Sequence, residues 1–422
     1  MATLTTSTFD PILKEFYLPL FEEQFDRQMV MMDEVIMKRD TEHVEGKNAF
    51  IAIEWENWAG TGSRAEEENF PDPQPGRYAR TSIPMRYHYA AFRVTGQVLE
   101  ASRSDPGAFA PAIQREMKSK ITAFHKQHNR MMWGDGSGAL CQVDGNPTTS
   151  AITVDNAYGI ANDINGHMFF SPNVKIDIYS AKTGGAYRGT YKVTAVAKGS
   201  GTATSAILTV DSDAAADGVV NGDLIFLEGS RQNELMGLIG IIDAGNFVTT
   251  IQGLNNATSG EEDWAAQIHQ GATAGTNEAL SLLRMMGLWN DIAFTGTGTT
   301  AAIIGSVNMQ LTYAMMAKNE GIQVNRSRLN AAPWEGLDFQ GLTTVLADKY
   351  APPNRFAFVD PSTLRMYEMA RPQWLDRGTG VLQRVGRTDV YEAIYFHYAE
   401  VGVSRRMANG MLEDVTELSV SG

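Results

Sequence analysis

Gly46-Lys47-Asn48-Ala49-Phe50-Ile51-Ala52-Ile53-Glu54-Trp55 opens an excursion that closes only at Met131-Met132-Trp133-Gly134-Asp135-Gly136. From Ala49 to Trp55 the residues are β-branched or aromatic and roughly alternate with polar ones, as a half-buried strand does. Ala59-Gly60-Thr61-Gly62-Ser63-Arg64-Ala65-Glu66-Glu67-Glu68 and Pro71-Asp72-Pro73-Gln74-Pro75-Gly76 follow. Glycines, an acidic run and three prolines resist packing into a core, so this is a tip. Tyr78–Val98 brings the chain back, carrying Ile83, Met85, Tyr87, Tyr89, Phe92 and Val94, with Pro84 marking an edge strand or a bulge. A flap of this length, packed on nothing of its own chain, needs a neighbouring subunit.

The segment behind the flap reads as one amphipathic helix. Phe109, Ile113, Met117, Ile121, Phe124, His128 and Met131 recur at spacings of three and four, and Lys118, Lys120, Lys126 and Arg130 fall largely off that stripe. Pro111 suits a first turn and breaks an interior one, so the helix is expected from Pro111 to Trp133, about 35 Å long. Gly134 is expected to supply a left-handed stop.

A chain of 422 residues exceeds one compact core and suits two or three domains. Hydrophobic residues make up 43%, enough for a sizeable core. The single cysteine, Cys141, excludes an internal disulfide framework, fits a reducing cytoplasm and reads as a small buried apolar residue. No basic segment followed by an apolar run opens the chain, and no window reaches membrane-spanning length, so no membrane partner is expected. A formal charge of -14 argues against gripping nucleic acid by phosphate neutralisation.

Further along, residues 1–45 read as a Thr-rich arm with a helix from Leu20 to Met37 and no strand of its own. Between 165 and 229, short β-like runs at Val174–Tyr179, Thr190–Ala197, Ala206–Val210 and Asp223–Leu227 alternate with glycine turns, indicating a small inserted antiparallel barrel or sandwich. Its glycines lack the Walker pattern and read as hairpin turns. After a buried segment Leu238–Ile242 come expected helices at Thr276–Leu288 and Ser306–Lys318. Strands are expected at Ala301–Ile304, Leu342–Asp348, Arg355–Val359 and Ala393–Tyr398. The class is α+β.

Catalytic patterns are absent: no Gly-x-Ser-x-Gly, His-Glu-x-x-His, Cys-x-x-Cys or Gly-x-Gly-x-x-Gly occurs. His125, His128 and Asp135 invite a metal reading, but His128 lies on the apolar stripe, and no metal, cofactor or catalytic residue is assigned. The acids Glu66–Glu68 at an exposed tip read as a solvated or partner-facing surface.

In their order, these parts resemble the major capsid protein of tailed bacteriophages, the Hong Kong 97-type capsid fold. The local matches are Met131-Met132-Trp133-Gly134-Asp135-Gly136, Thr343-Thr344-Val345-Leu346-Ala347-Asp348-Lys349 followed by Phe356-Ala357-Phe358-Val359, and Trp374-Leu375-Asp376. The resemblance implies an N-terminal arm (1–45), an E-loop (46–98), a P domain with a spine helix (99–145) and A-domain or connecting segments (146–164 and 230–290). The inserted β domain spans 165–229, and the rest of the P and A domains 291–422.

The resemblance also implies a structural role: copies forming hexamers and pentamers of an icosahedral head around double-stranded DNA. Contacts between copies are then expected from Arg64, Glu66, Glu67, Glu68, Arg77 and Arg80 of the loop and from Phe16, Tyr17, Leu18 and Phe21 of the arm. Family members that crosslink use a loop lysine, and none occurs between Asn48 and Met117, so non-covalent locking is expected. The start so near the arm implies a separate scaffolding protein, with a portal, a decoration protein and non-specifically contacted DNA as further partners. The expected location is the virion, assembled in the bacterial host cytoplasm. Competing readings are a tail or decoration component, separated by particle symmetry, and a cytoplasmic hydrolase with a β-insert, which needs a pocket of convergent polar groups.

Overall fold

The structure, a computed structural model, describes residues 31, 36–41, 44–45, 47–55, 60–73, 75–97, 110–160, 166–197, 206–243, 247–321, 326–328, 335–341, 343–376 and 380–418. Phe16, Tyr17, Leu18 and Phe21, with most of the expected arm helix, lie outside them.

The flap is a hairpin. Asn48–Trp55 pairs antiparallel with Arg77–Pro84, from Asn48 opposite Pro84 to Trp55 opposite Arg77, with Val44–Glu45 added at its base. The return run does not stay in the flap. At Met85, whose amide bonds Lys47 O at 3.0 Å, the chain leaves it, and Arg86–Thr95 pairs instead with Val390–Val403. Pro84 falls at this division, where the ladder ends and a missing N–H costs nothing.

Val390–Val403 is the axis of a five-stranded sheet that also contains Leu364–Trp374, Gln383–Arg384 and Lys38–Asp40. Lys38–Asp40 runs parallel to Leu364–Trp374, so the arm does carry a strand, contrary to expectation. Three residues are too few to show alternation, which is why sequence pattern missed it.

The long helix spans Ala110–Met131, about 33 Å at the usual rise. Its end corrects two expectations. Gly134 is not left-handed; positive φ begins at Gly136 (78°) and Gly138 (83°). The carbonyls of the turn just after it are taken by another helix. Leu238 N bonds Met132 O at 2.7 Å, Ile239 N bonds Trp133 O at 3.3 Å and Gly240 N bonds Gly134 O at 3.4 Å. The first amides of the short buried helix Leu238–Ile241 thus satisfy the carbonyls of the turn that follows the long one. Arg130, placed off the apolar stripe, is buried and ion-paired with Glu234 at 2.5 Å.

Between these two helix ends the chain builds a closed barrel. Its order is Ala206–Val210, Ala151–Asp155, Cys141–Val143, Leu224–Leu227, Lys175–Tyr179, Tyr187–Ala197. Two of the six strands thus precede residue 165, where the insert was expected to begin. Cys141, Val143, Ile152, Val154, Ile176, Ile178, Val193 and Leu208 are buried at alternate positions, and closure leaves no barrel edge unpaired. Burial pushes the Cys141 thiol well up, as suits a packing role.

The remaining residues form a seven-stranded sheet in the order Gln267–His269, Gly410–Leu412, Phe356–Val359, Ala302–Gly305, Thr343–Ala347, Glu335–Phe339, Arg326–Arg328. Helices Leu282–Phe294 and Val307–Asn319 bury Met285, Leu288, Ile292, Met309 and Tyr313 with Phe356, Phe358 and Leu412. The first helix begins later than the expected Thr276, because the Ser281 side chain caps it by accepting from Arg284 N.

Candidate functional site

The six charged residues nominated in the flap do different things. Arg64 Nε donates to Asn69 O (3.1 Å), and a Glu68 carboxylate oxygen accepts from Ala65 N (3.0 Å), so these two shape the tip itself. Glu66 and Glu67 are exposed, and Glu67 has φ 70°. Arg77 donates to Gly260 O at 2.5 Å, while the Arg80 guanidinium lies 3.9 Å over the Phe50 ring.

The flap also has a seat on its own chain, correcting the expectation that it packs on nothing there. Trp55 meets Trp264 edge to face at 6.1 Å, Ser82 N bonds Gln252 O at 2.9 Å, and Ala49, Ile83 and Met85 cluster with Tyr367. Alternation explains this: Ala49 and Ile53 face the body while Phe50 and Glu54 face away. The tip remains bare, with Phe70 91% exposed.

Two grooves, each about 650 Å³, flank the flap. One lies beneath it, lined by Glu54, Trp55, Asp263, Thr297 and Arg405. The other opens at its base, between Arg86–Thr95 and the long helix, with walls of Tyr87, Tyr89, Lys120, Ala123 and Phe124.

Behind the second groove the elements meet in a buried polar chain. His128 Nδ1 lies 3.2 Å from Phe124 O, an acceptor, so that nitrogen carries the proton and Nε2 accepts from His397 Nδ1 at 3.0 Å. His397 Nε2 in turn lies 2.9 Å from Glu368 Oε1, and Arg39 of the arm strand approaches the same oxygen at 3.6 Å. Helix, arm and both long strands are thereby tied together. His128 and His125 do not share a site with Asp135, whose carboxylate binds Ser137 and Lys182, each at 2.5 Å. Sequence spacing cannot show this chain, because His128 and His397 are 269 residues apart.

Two buried groups make stability depend on pH with opposite sign. Burial pushes the Glu400 carboxyl up to about 7, against the Met236 and Val401 amides and Arg86, which favour the carboxylate. The folded state then holds a proton that the unfolded chain, at 4.5, has lost, so stability falls as pH rises from 4.5 to about 7. His88 is depressed by burial, then by His397 and the nearby arginines, to about 3, so stability is lost as pH falls from 6.5 towards 3. Urea midpoints across that range are expected to show Glu400→Gln gaining on wild type with rising pH and His88→Phe gaining with falling pH. Variant and wild-type curves that run parallel would contradict this.

No family model and no curated protein matches the chain. Solved structures do. A chain of the cyanophage A-1(L) capsid asymmetric unit aligns at 14% identity with TM-score 0.58, covering 98% of this chain and 100% of that one. A chain of the capsid of the native GTA particle aligns at 11% identity with TM-score 0.54, covering 99% and 100%. The capsid of the empty GTA particle gives 11%, 0.53 and 96% of each chain. Alignment with these capsid chains over almost its whole length gives the chain the Hong Kong 97-type capsid fold.

Proposed function

We propose that this chain is the major capsid protein of a tailed bacteriophage, many copies of which assemble into the hexamers and pentamers of an icosahedral head enclosing double-stranded DNA. The observation that carries this reading is the end-to-end likeness to a cyanophage capsid chain. The bare flap supports it. Phe70 and Tyr78, 91% and 70% exposed, are large apolar surface left where a neighbour can cover it.

In this reading the flap is the E-loop and Ala110–Met131 the spine helix. The strand Lys38–Asp40 belongs to the arm, and Phe16, Tyr17, Leu18 and Phe21 reach an adjacent copy. Locking is non-covalent. Exposed pairs made by Glu66, Glu67 and their partners are worth about 0–1 kcal/mol each, so summed apolar burial supplies most of the stability and weak single contacts let misplaced copies leave. A separate scaffolding protein, a portal and a decoration protein complete the assembly, and DNA is contacted without sequence preference. The virion is where the protein acts, after assembly in the host cytoplasm.

Electron microscopy and sedimentation test the reading. The full chain, with its scaffold, is expected to form closed shells. With residues 60–76 replaced by a short Gly-Ser turn, it is expected to sediment as dispersed subunits while keeping its circular dichroism and unfolding midpoint. A full chain that stays monomeric with scaffold present overturns the reading.

A further inference from the structure

The buried chain behind the second groove has three contacts, and each needs a hydrogen. His128 Nδ1 faces Phe124 O at 3.2 Å, His128 Nε2 faces His397 Nδ1 at 3.0 Å, and His397 Nε2 faces Glu368 Oε1 at 2.9 Å. A carbonyl and a carboxylate oxygen only accept, and two neutral imidazoles carry one N–H each. The chain is one hydrogen short.

No choice of tautomer repairs this. With the His397 hydrogen on Nδ1, a bare Nε2 meets the carboxylate. With it on Nε2, two bare nitrogens meet between His397 and His128. Moving the His128 hydrogen to Nε2 then closes that contact but leaves a bare Nδ1 against Phe124 O. One pair of acceptors always stands face to face where water cannot separate them, because His128 and His397 are 0% and Glu368 1% exposed.

The neighbours do not fill the gap. Burial lowers His128 and His125 of the helix, and it holds His88, whose ring meets His128 edge to face at 4.9 Å, down to about 3. All three are therefore neutral at pH 7, with Arg86 and Arg130 also bearing on His88. The cations facing Glu368 are Arg39 of the arm strand at 3.6 Å and Arg371 at 4.0 Å, too far to complete the chain by hydrogen bonding.

We propose that His128, His397 and Glu368 together hold one proton beyond those of two neutral imidazoles and a carboxylate, and that this proton is a pH-operated clasp. With it, all three contacts close, and Glu368, beside which Arg39 lies, is fastened through His397 to the long helix. Without it, one contact must open. An unfolded histidine releases its proton near pH 6.5, as such side chains ordinarily do. The folded chain keeps a proton that the unfolded one has lost, so the clasp contributes fully below about 6.5 and its contribution is lost as pH rises until the folded chain also lets go. This is a property of the single subunit, and it stands or falls independently of the shell reading.

Urea titrations of the unassembled subunit between about pH 7.5 and about 9.5, above the value near which Glu400 changes charge, test it. Glu368→Gln supplies the third hydrogen from its amide. His128→Phe removes two of the three contacts, so that His397 needs only a hydrogen on Nε2. Relative to wild type, each variant is expected to gain up to about tenfold in folding constant per pH unit. Each is read separately, so one that does not fold leaves the other to decide. Curves parallel to wild type overturn the proposal. A gain in Glu368→Gln with none in His128→Phe identifies an ordinary ion pair between His397 and Glu368 and overturns the shared chain; the reverse result overturns it too. Hydrogen-exchange protection at Lys38–Asp40, corrected for intrinsic rates, is expected to fall over the same range in wild type. Protection that stays level overturns the link to the arm.

Discussion

Arg406→Met is expected to lower the unfolding free energy of the unassembled subunit by about 3–5 kcal/mol, because it removes the donor that serves three buried backbone carbonyls. Arg406 is 2% exposed and spends its guanidinium on the backbone: Nε donates to Ile241 O at 2.9 Å, and the terminal nitrogens to Trp264 O at 2.7 Å and Asp243 O at 2.6 Å. Burial lowers its pKa to about 10, which still leaves it charged at neutral pH. Methionine fills similar space but orphans three carbonyls, each costing about 1–3 kcal/mol when buried without a donor. Losing the charge's own desolvation offsets part of that sum. The effect should spread to the flap, because Trp264, one of the residues held, is the seat of Trp55. Urea unfolding measures the change, and a loss below about 1 kcal/mol would show that water replaces the guanidinium without strain.

Gly237→Ala is expected to cost about 3 kcal/mol, at the upper end for overpacking. A β-carbon there would lie 2.6 Å from Gly134 N, Gly134 O and Met131 O alike. All three are backbone atoms of the helix end, so no side chain can swing aside. Relief requires pulling the two helix ends apart, which breaks the bonds from Leu238 N and Ile239 N. Gly145→Ala is the control: its φ is +75° but nothing lies within 4 Å of the added carbon, so only the backbone penalty of about 1 kcal/mol applies. Equal melting shifts for the two variants would refute the close-approach argument.

What the sequence made legible follows the physics of each element. Asn48–Trp55, Ala302–Gly305 and Val307–Asn319 were readable because burial on one face imprints a period, burial on both a short apolar run, and Ser306 marks a cap. Leu364–Trp374 was not. Its arginines and Pro372 break any pattern, and it is a strand because Val390–Val403 and Lys38–Asp40 pair with it. Cys141–Val143 was too short to stand out, and it belongs to the barrel because Ala151–Asp155 and Leu224–Leu227 pair on either side of it. Arg130 looked like a surface cation because its partner Glu234 lies 104 residues away. In the flap, composition gave the tip correctly, but charges read as partner-facing include Arg64 and Glu68, which a short turn keeps for itself. Long-range pairing is what a periodic reading cannot see.

The junction of the two helix ends bears on how such a chain changes its length. Residues 135–236 leave and return at a point where Gly134 and Gly237 are in backbone contact. The barrel between them is a bud on a stem that is already closed. Joining the stem directly requires no stretch of chain, and closing a longer bud costs only about 0.6 kcal/mol per doubling of its length. This point can therefore take a longer or shorter module at little closure cost, as long as Glu234 still meets Arg130 and Tyr158 still meets Tyr350 O.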